Sequence, residues 1–265
     1  MKTPSLRFVE KPYDSNRLHN YLLRFRARGF VVLPDVFERD SVDAFLEEVK
    51  SALGKNESGD WHLPDDRSEM VWPIRAPRLL PALQGALSPS RMTPRISVFE
   101  TAWLIRESQE KRGEWHKDRQ QEGMPGQEYH YPLGVHLGIY FLDMEKEDGP
   151  TQIIPCSHMD QNLNPYNGSE VEQFTPRKQD VVLWDQRCWH QATPRTKEGL
   201  RVFAIFGFES INSFKPYPLQ SMPRALARAW LEAEGSEYES YYGGRWGIRS
   251  VLEGLKDVMK EGDDS

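Results

Sequence analysis

The sequence predicts a mainly β protein with flanking helices, folded as a single domain. Between residues 94 and 212, runs rich in β-branched and aromatic residues recur without intervening helices, which is typical of an antiparallel sandwich or barrel. On both sides of this core, at 1–54 and 218–262, apolar residues recur instead at helical spacing. With 265 residues, the chain is long enough to bury a substantial core.

The amino-terminal part (1–54) is predicted as helix, strand and helix. Ser15 can cap a first helix that Gly29 ends, because Gly readily adopts the left-handed conformation found after helices. A second helix begins with Asp40 or Ser41 as its cap and stops at Gly54. The apolar residues expected on the inner faces are Leu18, Tyr21, Leu22 and Phe25, then Val42, Phe45, Val49 and Leu53, with the strand Phe30 to Leu33 between the helices.

Residues 55–93 are rich in Pro, Asp and Trp and have weak periodicity. They are interpreted as a long loop with short helical pieces, and long loops in compact domains often act as lids. The following core strands are predicted in the runs RISVFETAWLI, GVHLGIYFLDM, TQIIP, DVVLWDQRCWH and RVFAIFGFES. Asp148-Gly149 predicts a hairpin turn between two of them.

Composition excludes several classes of function. The formal net charge of −6 is spread without a basic stripe, which argues against nucleic-acid binding. No apolar run approaches the roughly 18 residues of a membrane helix, and the first residues lack the apolar core of a signal peptide. Only two cysteines are present, which favours a reducing cytoplasm. The expected partner is therefore a small molecule, and no feature of the sequence specifies an oligomeric state.

A His-x-Asp step, His116-Lys117-Asp118, is the strongest indication of chemistry, together with the later His190. Side chains at i and i+2 of a strand point to one side, so His116 and Asp118 at a strand end can aim together. His190 follows an apolar run and is also placed late in a strand. Two imidazoles and one carboxylate hold one face of Fe(II) in non-haem oxygenases and leave the opposite face open. Arg201, on the next strand, can hold the far carboxylate of an organic acid.

A second match, His158-Met159-Asp160, shows that the step alone is weak evidence, since a surface or hydrogen-bonded histidine explains either match. Context distinguishes the two matches. His158 follows Ile154-Pro155 and precedes a polar loop, which is typical of a sheet exit, whereas His116 lies between two predicted strands. Position therefore favours His116.

The linked motifs EDGPTQIIPCSHM and QDVVLWDQRCWHQATP, with Arg201 in the next strand and RGFVVLPDVFERDSVDAFLEEVKSALG near the start, resemble the phytanoyl-CoA dioxygenase family over roughly residues 15–210. The resemblance implies a double-stranded β-helix (a cupin-like jelly roll), Fe(II), O2, and 2-oxoglutarate as co-substrate, with ascorbate as a supporting reductant. It also implies that His116, Asp118 and His190 are the metal ligands and catalytic residues, and that Arg201 pairs with the tail carboxylate of 2-oxoglutarate.

Three positions depart from the family pattern. Cys156 replaces the usual Gly before Ser-His, so the turn there is expected to differ in backbone shape. The small hydroxyl residue common two places after the distal His is replaced by Ala192, and Thr193 comes next as a candidate for binding the acid. Gly138 stands where an aromatic residue is frequent, which is expected to open room for substrate.

Further residues are candidates for lining a substrate cavity, each with packing as the alternative. They are Trp103, His136, Gly138 and Tyr140. The basic residues around the metal step either attract an anionic substrate or form a solvated charge cluster; they are Lys111, Arg112, Lys117 and Arg119. His130 and Tyr131, in the polar loop after Asp118, are candidates for a lid. Asp185 with Arg187 is predicted as a structural ion pair, and Cys188 as a packed thiol.

The sequence therefore predicts a 2-oxoglutarate-dependent non-haem iron oxygenase that hydroxylates a small organic molecule. Halogenation is disfavoured, because halogenating relatives carry Gly or Ala in place of the carboxylate at Asp118. Desaturation, epoxidation and ring formation remain alternatives. Two rivals are a metal-binding β-barrel without turnover and a zinc hydrolase with the same three ligands. Neither rival needs Arg201.

Overall fold

The computed structural model describes residues 6–55, 61–62, 75–87, 96–107, 111–119, 132 and 134–210. The helices within these residues are α1 (Ser15–Arg28), α2 (Arg39–Ala52) and α3 (Leu79–Leu87), with a short 3-10 helix at Lys146–Asp148. The strands are β1 (Phe30–Leu33), β2 (Gly54–Lys55), β3 (Trp61–His62), β4 (Ile96–Arg106), β5 (Gly134–Ile139), β6 (Thr151–Ile153), β7 (Glu172–Gln173), β8 (Val181–Asp185), β9 (His190–Ala192) and β10 (Arg201–Ser210).

Two antiparallel sheets form the β core. The larger sheet has five strands in the order β1-β8-β5-β10-β4, and the smaller has three in the order β7-β6-β9. Strands β2 and β3 form a separate two-stranded ribbon. The mainly β fold with helices at its amino-terminal end confirms the prediction from the sequence.

The larger sheet is buried on both faces, which explains why β5 and β8 are apolar at nearly every position. One face packs with the helices in a helix-side core that includes Val135, Leu137, Ala204 and Phe206. The other face meets the smaller sheet in an inter-sheet core, whose buried members are Phe30, Tyr140, Met144, Ile153, Phe174, Val182, Trp184, Cys188 and Phe203. Alternate residues of one strand therefore belong to different cores.

The two amino-terminal helices begin one or a few residues before the predicted caps. Asp14, rather than Ser15, caps α1, and its carboxylate accepts from the Arg17 amide at 2.8 Å. Glu38, rather than Asp40 or Ser41, precedes α2, and the Ser41 hydroxyl instead donates to the Glu38 carbonyl. Both boundary predictions were wrong because neighbouring polar residues were all acceptable caps.

The chain leaves α1 at Gly29, as predicted, with φ of +82°. The predicted inner faces are also correct, since Phe25, Val42, Phe45 and Val49 are buried.

Within the predicted loop 55–93, helix α3 belongs to the core. Its buried residues are Leu79, Ala82, Leu83, Ala86 and Leu87. This part of the segment packs with the helix-side core and does not form a lid. The prediction underestimated it because Pro81 and Gly85 weaken the helical signal, although Pro is tolerated in a first helical turn.

The turn at Asp148-Gly149 connects two sheets and does not close a hairpin. Gly149 has φ of +70° and ends the 3-10 helix Lys146–Asp148. The strand that follows, β6, pairs with β7 and β9, whereas the preceding strand β5 pairs with β8 and β10. The hairpin prediction was therefore wrong, because a turn signal specifies local backbone shape and not which strands pair.

Several predicted features lie outside the described residues. They are the carboxyl-terminal helices (218–262), His130 with Tyr131, and most of the segment 55–93. Among the described residues, no helix has the length and apolar character needed to cross a membrane.

Candidate metal centre

The structure brings the three predicted ligand residues together at one end of the smaller sheet. His190 Nε2 lies 3.2 Å from Asp118 Oδ2, and His116 Nε2 lies 3.6 Å from Asp118 Oδ1. One ligand atom from each residue falls within 4.8 Å of the others. Ligands bound at right angles, each about 2.1 Å from an ion, are about 3 Å apart, so these residues can reach one ion with small side-chain movements.

Backbone pairing places the two imidazoles side by side. His116 and His190 form an antiparallel bridge in which each amide donates to the other's carbonyl at 3.0 Å. The rings follow this pairing, with centroids 4.2 Å apart. His190 opens strand β9 after a turn that ends β8 at Asp185, so its predicted position late in a strand was wrong. His116 belongs to this bridge and not to the end of a longer strand.

Each imidazole uses its inner nitrogen to hold the ring. His116 Nδ1 donates to the Glu114 carbonyl and His190 Nδ1 donates to the Cys188 carbonyl, both at 3.0 Å. This assignment leaves Nε2 of each ring as the lone-pair nitrogen that a metal needs. Burial lowers the pKa of His190, which favours the neutral ring.

His136 and Gln186 orient the carboxylate of Asp118. His136 Nδ1 lies 3.0 Å from Asp118 Oδ2, and Gln186 Nε2 lies 2.9 Å from His136 Nε2. Since an ionised carboxylate only accepts, His136 Nδ1 donates to it, and the Gln186 amide donates to the remaining ring nitrogen. Burial raises the pKa of Asp118, but the His136 hydrogen bond and the neighbouring imidazoles outweigh it and hold that pKa at about 2.

The site is buried on the His190 side and accessible on the His116 side. The side chain of His190 is 8% exposed, whereas that of His116 is 53% exposed. Two neutral imidazole nitrogens, one ionised carboxylate and an accessible side are the donor set that suits non-haem Fe(II). The residues present therefore fit the metal that the sequence implied.

Arg201 also faces the space between the sheets, because it alternates with Val202 and shares a face with the inter-sheet residue Phe203. Its Nη1 donates to the carbonyls of Asp148 and Gly149, at 3.2 and 2.5 Å. Its buried Nε has no acceptor among the described residues. Two carbonyls thus fix the guanidinium while one edge is left for an acid, which fits the predicted tail carboxylate of 2-oxoglutarate.

The Thr193 hydroxyl is not directed at the guanidinium edge of Arg201 that is left for an acid. Its hydroxyl donates to the Pro150 carbonyl at 2.6 Å, and a hydroxyl has only one proton to donate. The role of Thr193 in binding the acid is therefore not supported by this geometry. The residue instead holds the turn before β6.

The candidate substrate residues divide between the two faces of the larger sheet. His136, Gly138 and Tyr140 alternate along the chain and lie on the side of the inter-sheet core, and their role in binding substrate stays a prediction. Trp103 pairs with Ala204 and stacks on Phe141, with ring centroids 5.8 Å apart, on the helix-side core. Trp103 is thus separated from the metal centre by the sheet, and its assignment as a substrate residue was wrong.

Gly138 does not open room for substrate. A Cβ built on it would lie 2.8 Å from Trp184 Cζ3 and 3.0 Å from Phe203 Cε2. Aromatic rings from neighbouring strands therefore fill the space that a side chain at this position would take. The expectation of a cavity here was wrong because the sequence does not show which rings lean over a glycine.

The turn at Cys156 keeps the backbone shape that Gly would have. Cys156 has φ of +63°, in the left-handed region. The expected change in backbone shape is therefore not found. His158, in the second His-x-Asp match, is buried, and its Nε2 contacts the Arg26 carbonyl at 3.0 Å. Among the described residues, the metal-binding group does not include His158 or Asp160, so the structure favours His116 over this second match.

Two further predictions concern structural residues and are confirmed. Arg187 and Asp185 form a buried ion pair with Nη2 2.7 Å from Oδ2. The Cys188 thiol is buried, and this burial raises its pKa.

The basic residues near the metal step point in different directions. Lys117 donates to the Ser157 carbonyl and lies over the Trp189 ring, and Arg119 lies 3.7 Å from Glu209. These two residues therefore have structural partners, which favours the interpretation of a charge cluster over a substrate-attracting patch. Gln186 was missed from the sequence, because an amide that contacts a ligand's neighbour has no motif of its own.

The family model described as Phytanoyl-CoA dioxygenase (PhyH) matches residues 25–203, which is more than half of the chain. Similar solved structures share the fold. The epimerase SnoN from nogalamycin biosynthesis is 17% identical, with 77% of this chain and 87% of that chain covered and a TM-score of 0.56. HygX from Streptomyces hygroscopicus, with nickel and 2-oxoglutarate bound, is 20% identical, with 72% and 85% covered and a TM-score of 0.54.

The carbocyclase SnoK, also from nogalamycin biosynthesis, is 20% identical, with 75% of this chain and 87% of that chain covered and a TM-score of 0.52. Likeness to solved structures at these identities shows the jelly-roll fold alone. The family model also shows the family, because it matches more than half of the chain, including the residues from His116 to Arg201. The chain belongs to the phytanoyl-CoA dioxygenase family, whose members are non-haem iron enzymes that use 2-oxoglutarate.

Proposed function

We propose that this enzyme hydroxylates a C–H bond of a small organic molecule. In the reaction, substrate, O2 and 2-oxoglutarate give the hydroxylated product, succinate and CO2. The observation that supports the proposal most strongly is that His190 of the ligand group contacts Trp184 of the inter-sheet core, on the side of the larger sheet that Arg201 also faces. A metal centre alone would suit many reactions, whereas a fixed guanidinium with a free edge suits an acidic co-substrate.

His116, Asp118 and His190 would hold Fe(II), which supplies the dioxygen activation that 2-oxoglutarate-driven C–H oxidation needs. The protein contributes orientation. The carbonyls of Glu114 and Cys188 keep both Nε2 atoms directed at one point, and His136 keeps Asp118 ionised and turned toward it. Arg201 would bind the tail carboxylate and so fix the position of the 2-oxo acid.

The small-molecule substrate class is supported by the solved relatives. HygX has been crystallised with hygromycin B and SnoN with nogalamycin RO. The relatives also include an epimerase and a carbocyclase, so enzymes of this fold differ in the change that they make at the substrate carbon. Hydroxylation is therefore the more specific part of the proposal. The intact carboxylate at Asp118 supports oxygen transfer over halogenation, for which the sequence pattern requires a small apolar residue.

The test is succinate formation from labelled 2-oxoglutarate, with Fe(II), ascorbate, air and a panel of small molecules. We expect substrate-dependent succinate and a product heavier by one oxygen atom. Asp118→Ala should abolish both, whereas Asp160→Ala, the equivalent change in the other His-x-Asp match, should leave both unchanged. Absence of succinate across the panel would contradict the proposal and favour the hydrolase or the non-catalytic barrel. Persistence of succinate in Asp118→Ala would contradict the metal-binding role of Asp118 on which the proposal depends.

A further inference from the structure

Arg119 and Glu209 form an ion pair next to the metal centre that takes no part in the proposed reaction. Arg119 directly follows the candidate ligand Asp118, and its Nη1 lies 3.7 Å from Glu209 Oε2. The side chain of Arg119 is 11% exposed and that of Glu209 only 2%. Buried ion pairs are weak evidence for stability, but in some proteins they specify one arrangement of the groups around them.

The Arg119 guanidinium and the Gln186 amide border the same small space, next to Gly134. A Cβ built on Gly134 would lie 2.3 Å from Gln186 Oε1 and 3.4 Å from Arg119 Nη1. Gly134 is also the residue that pairs with Glu209 of the neighbouring strand β10, so the carboxylate holds the guanidinium at this place. The absence of a side chain at Gly134 thus lets a positive charge lie close to the oxygen of a buried amide.

The Gln186 amide could adopt two orientations, and the structure has one of them. Its Nε2 lies 2.9 Å from His136 Nε2 and donates to it, while its Oε1 is turned toward the space that Arg119 borders. A guanidinium attracts an amide oxygen and repels an amide NH2 group, and little water screens this effect because Gln186 is buried. Arg119 therefore favours the observed orientation over the flipped one.

The orientation of this amide decides where His136 carries its proton. In the observed orientation Gln186 donates to Nε2, so the ring proton stays on Nδ1 and is donated to Asp118 at 3.0 Å. In the flipped orientation the Gln186 oxygen would require a proton on Nε2. A ring with its only proton there cannot donate to Asp118, and a ring with two protons places a positive charge beside the metal. Both outcomes would weaken metal binding.

Backbone hydrogen bonds keep the same groups together. The Arg119 amide donates to the Gln186 carbonyl at 3.1 Å, and the Gln186 amide donates to the Gly134 carbonyl at 3.4 Å. The residue that follows Asp118 is thus attached to the residue whose side chain orients the partner of Asp118. The guanidinium, the amide and the imidazole consequently keep one relative arrangement.

We infer that Arg119, held by Glu209, is a positioning residue for the metal centre, which fixes the amide orientation of Gln186 and so keeps the His136 proton directed at Asp118. The inference rests on the proposed function, because it takes Asp118 as a metal ligand. It gives the charge of Arg119 a role that differs both from attracting a substrate and from a solvated charge cluster.

The first experiment locates the ring protons of His136 by long-range ¹H–¹⁵N NMR of the full chain with ¹⁵N-labelled histidine, without metal and then with diamagnetic Zn(II). His136→Phe identifies the signals, because those of His136 disappear in that variant. In the wild type we expect the proton on Nδ1 and none on Nε2. Arg119→Met removes the charge and keeps an apolar stem, so the Nε2 signal should shift toward the protonated position. Arg119→Lys keeps the charge and should keep the wild-type signals.

The second experiment measures the dissociation constant for Fe(II) by competition with a chelator, without oxygen. We expect Arg119→Met to weaken binding about three- to tenfold, less than the about 10- to 100-fold typical of a residue that contacts a metal ligand directly. A direct charge effect would act in the opposite direction, because loss of a positive charge favours a nearby cation. In a Gln186→Met background, Arg119→Met should no longer weaken binding, since Arg119 acts through that amide.

Lys178→Met is the control for loss of a cation. Lys178 is 15% exposed and pairs with Asp43 of helix α2, so its replacement should leave Fe(II) binding unchanged. If Arg119→Met does not fold, Glu209→Gln tests the same step, because it removes the charge that holds the guanidinium. It should shift the Nε2 signal of His136 in the same direction, and an unchanged signal would overturn the inference.

Three results with Arg119→Met would also overturn the inference. They are an Nε2 of His136 that stays unprotonated, Fe(II) binding that is unchanged or tighter, and equal weakening with and without Gln186→Met. None of them contradicts the proposed function, which the succinate assay tests separately. A wild-type protein that does not bind Fe(II) would contradict the proposed function and the inference together.

Discussion

Replacing His136 with Phe should weaken metal binding although His136 is not among the three ligand residues. The substitution keeps an aromatic ring against Trp184, whose ring centroid lies 5.3 Å away, and removes the donor to Asp118. The bond that is lost is 3.0 Å long, with His136 6% and Asp118 24% exposed. Hydrogen bonds to charged groups contribute about 1.5–3 kcal/mol, and the partial exposure of Asp118 favours the lower half of that range.

A loss of about 1.5–2 kcal/mol corresponds to about 10- to 30-fold in the dissociation constant for the metal. This agrees with the roughly 10- to 100-fold effects typical of residues that orient a metal ligand. The assay is competition between the protein and a chelator for Fe(II) without oxygen, with Mn(II) as a second ion. His158→Phe is the matched control, because it removes a buried imidazole hydrogen bond to the Arg26 carbonyl and His158 does not belong to the metal-binding group.

We expect the control to lose stability but to retain its metal affinity within about twofold. If His136→Phe binds metal as tightly as the wild type, His136 does not orient Asp118. If both variants lose affinity equally, the effect comes from general destabilisation, and the reasoning from the His136 to Asp118 bond is refuted.

Two further predictions concern packing. Gly138→Ala should lower the free energy of unfolding by about 1–3 kcal/mol, because the added methyl group meets Trp184 and Phe203. Thermal unfolding measures this change. An unchanged unfolding midpoint would show that the two rings can move aside. In the native protein, a thiol reagent should label the exposed Cys156, whereas the buried Cys188 should react only after denaturant is added. Mass spectrometry of the labelled peptides checks this prediction. Rapid labelling of Cys188 in the native protein would contradict the observed packing.

The parts of the fold that the sequence predicts well are those governed by periodicity. The nearly continuous apolar runs beginning at Gly134 and Arg201 identify buried strands, because their apolar side chains pack into one core or the other. An apolar run does not say which core a given residue faces. Trp103 was assigned to the metal side for this reason, although its strand register places it with the helices.

The candidate metal ligands were recognisable because three residues of suitable chemistry, two histidines and one aspartate, stand at informative positions. The residues around them were less visible. Gln186 orients His136, and Arg119 pairs with Glu209, through contacts between segments distant in the chain. Hydrogen bonds of this kind depend on register and turn geometry, which a one-residue slip would change completely. Sequence patterns carry little information about them.

The backbone bridge between His116 and His190 joins the two candidate imidazole ligands through the same hydrogen bonds that hold residues 111–119 on the β core. Their two backbone hydrogen bonds, with those from Gly113 to Ala192 and from Arg119 to Gln186, attach the stretch 111–119 to the β core. An ion held by both imidazoles would act as a cross-link over the same junction. Metal binding would then slow the exchange of the His116 and His190 amide protons with solvent, and removal of the metal by a chelator would speed it. Amide exchange at these two residues would therefore report whether the metal is bound.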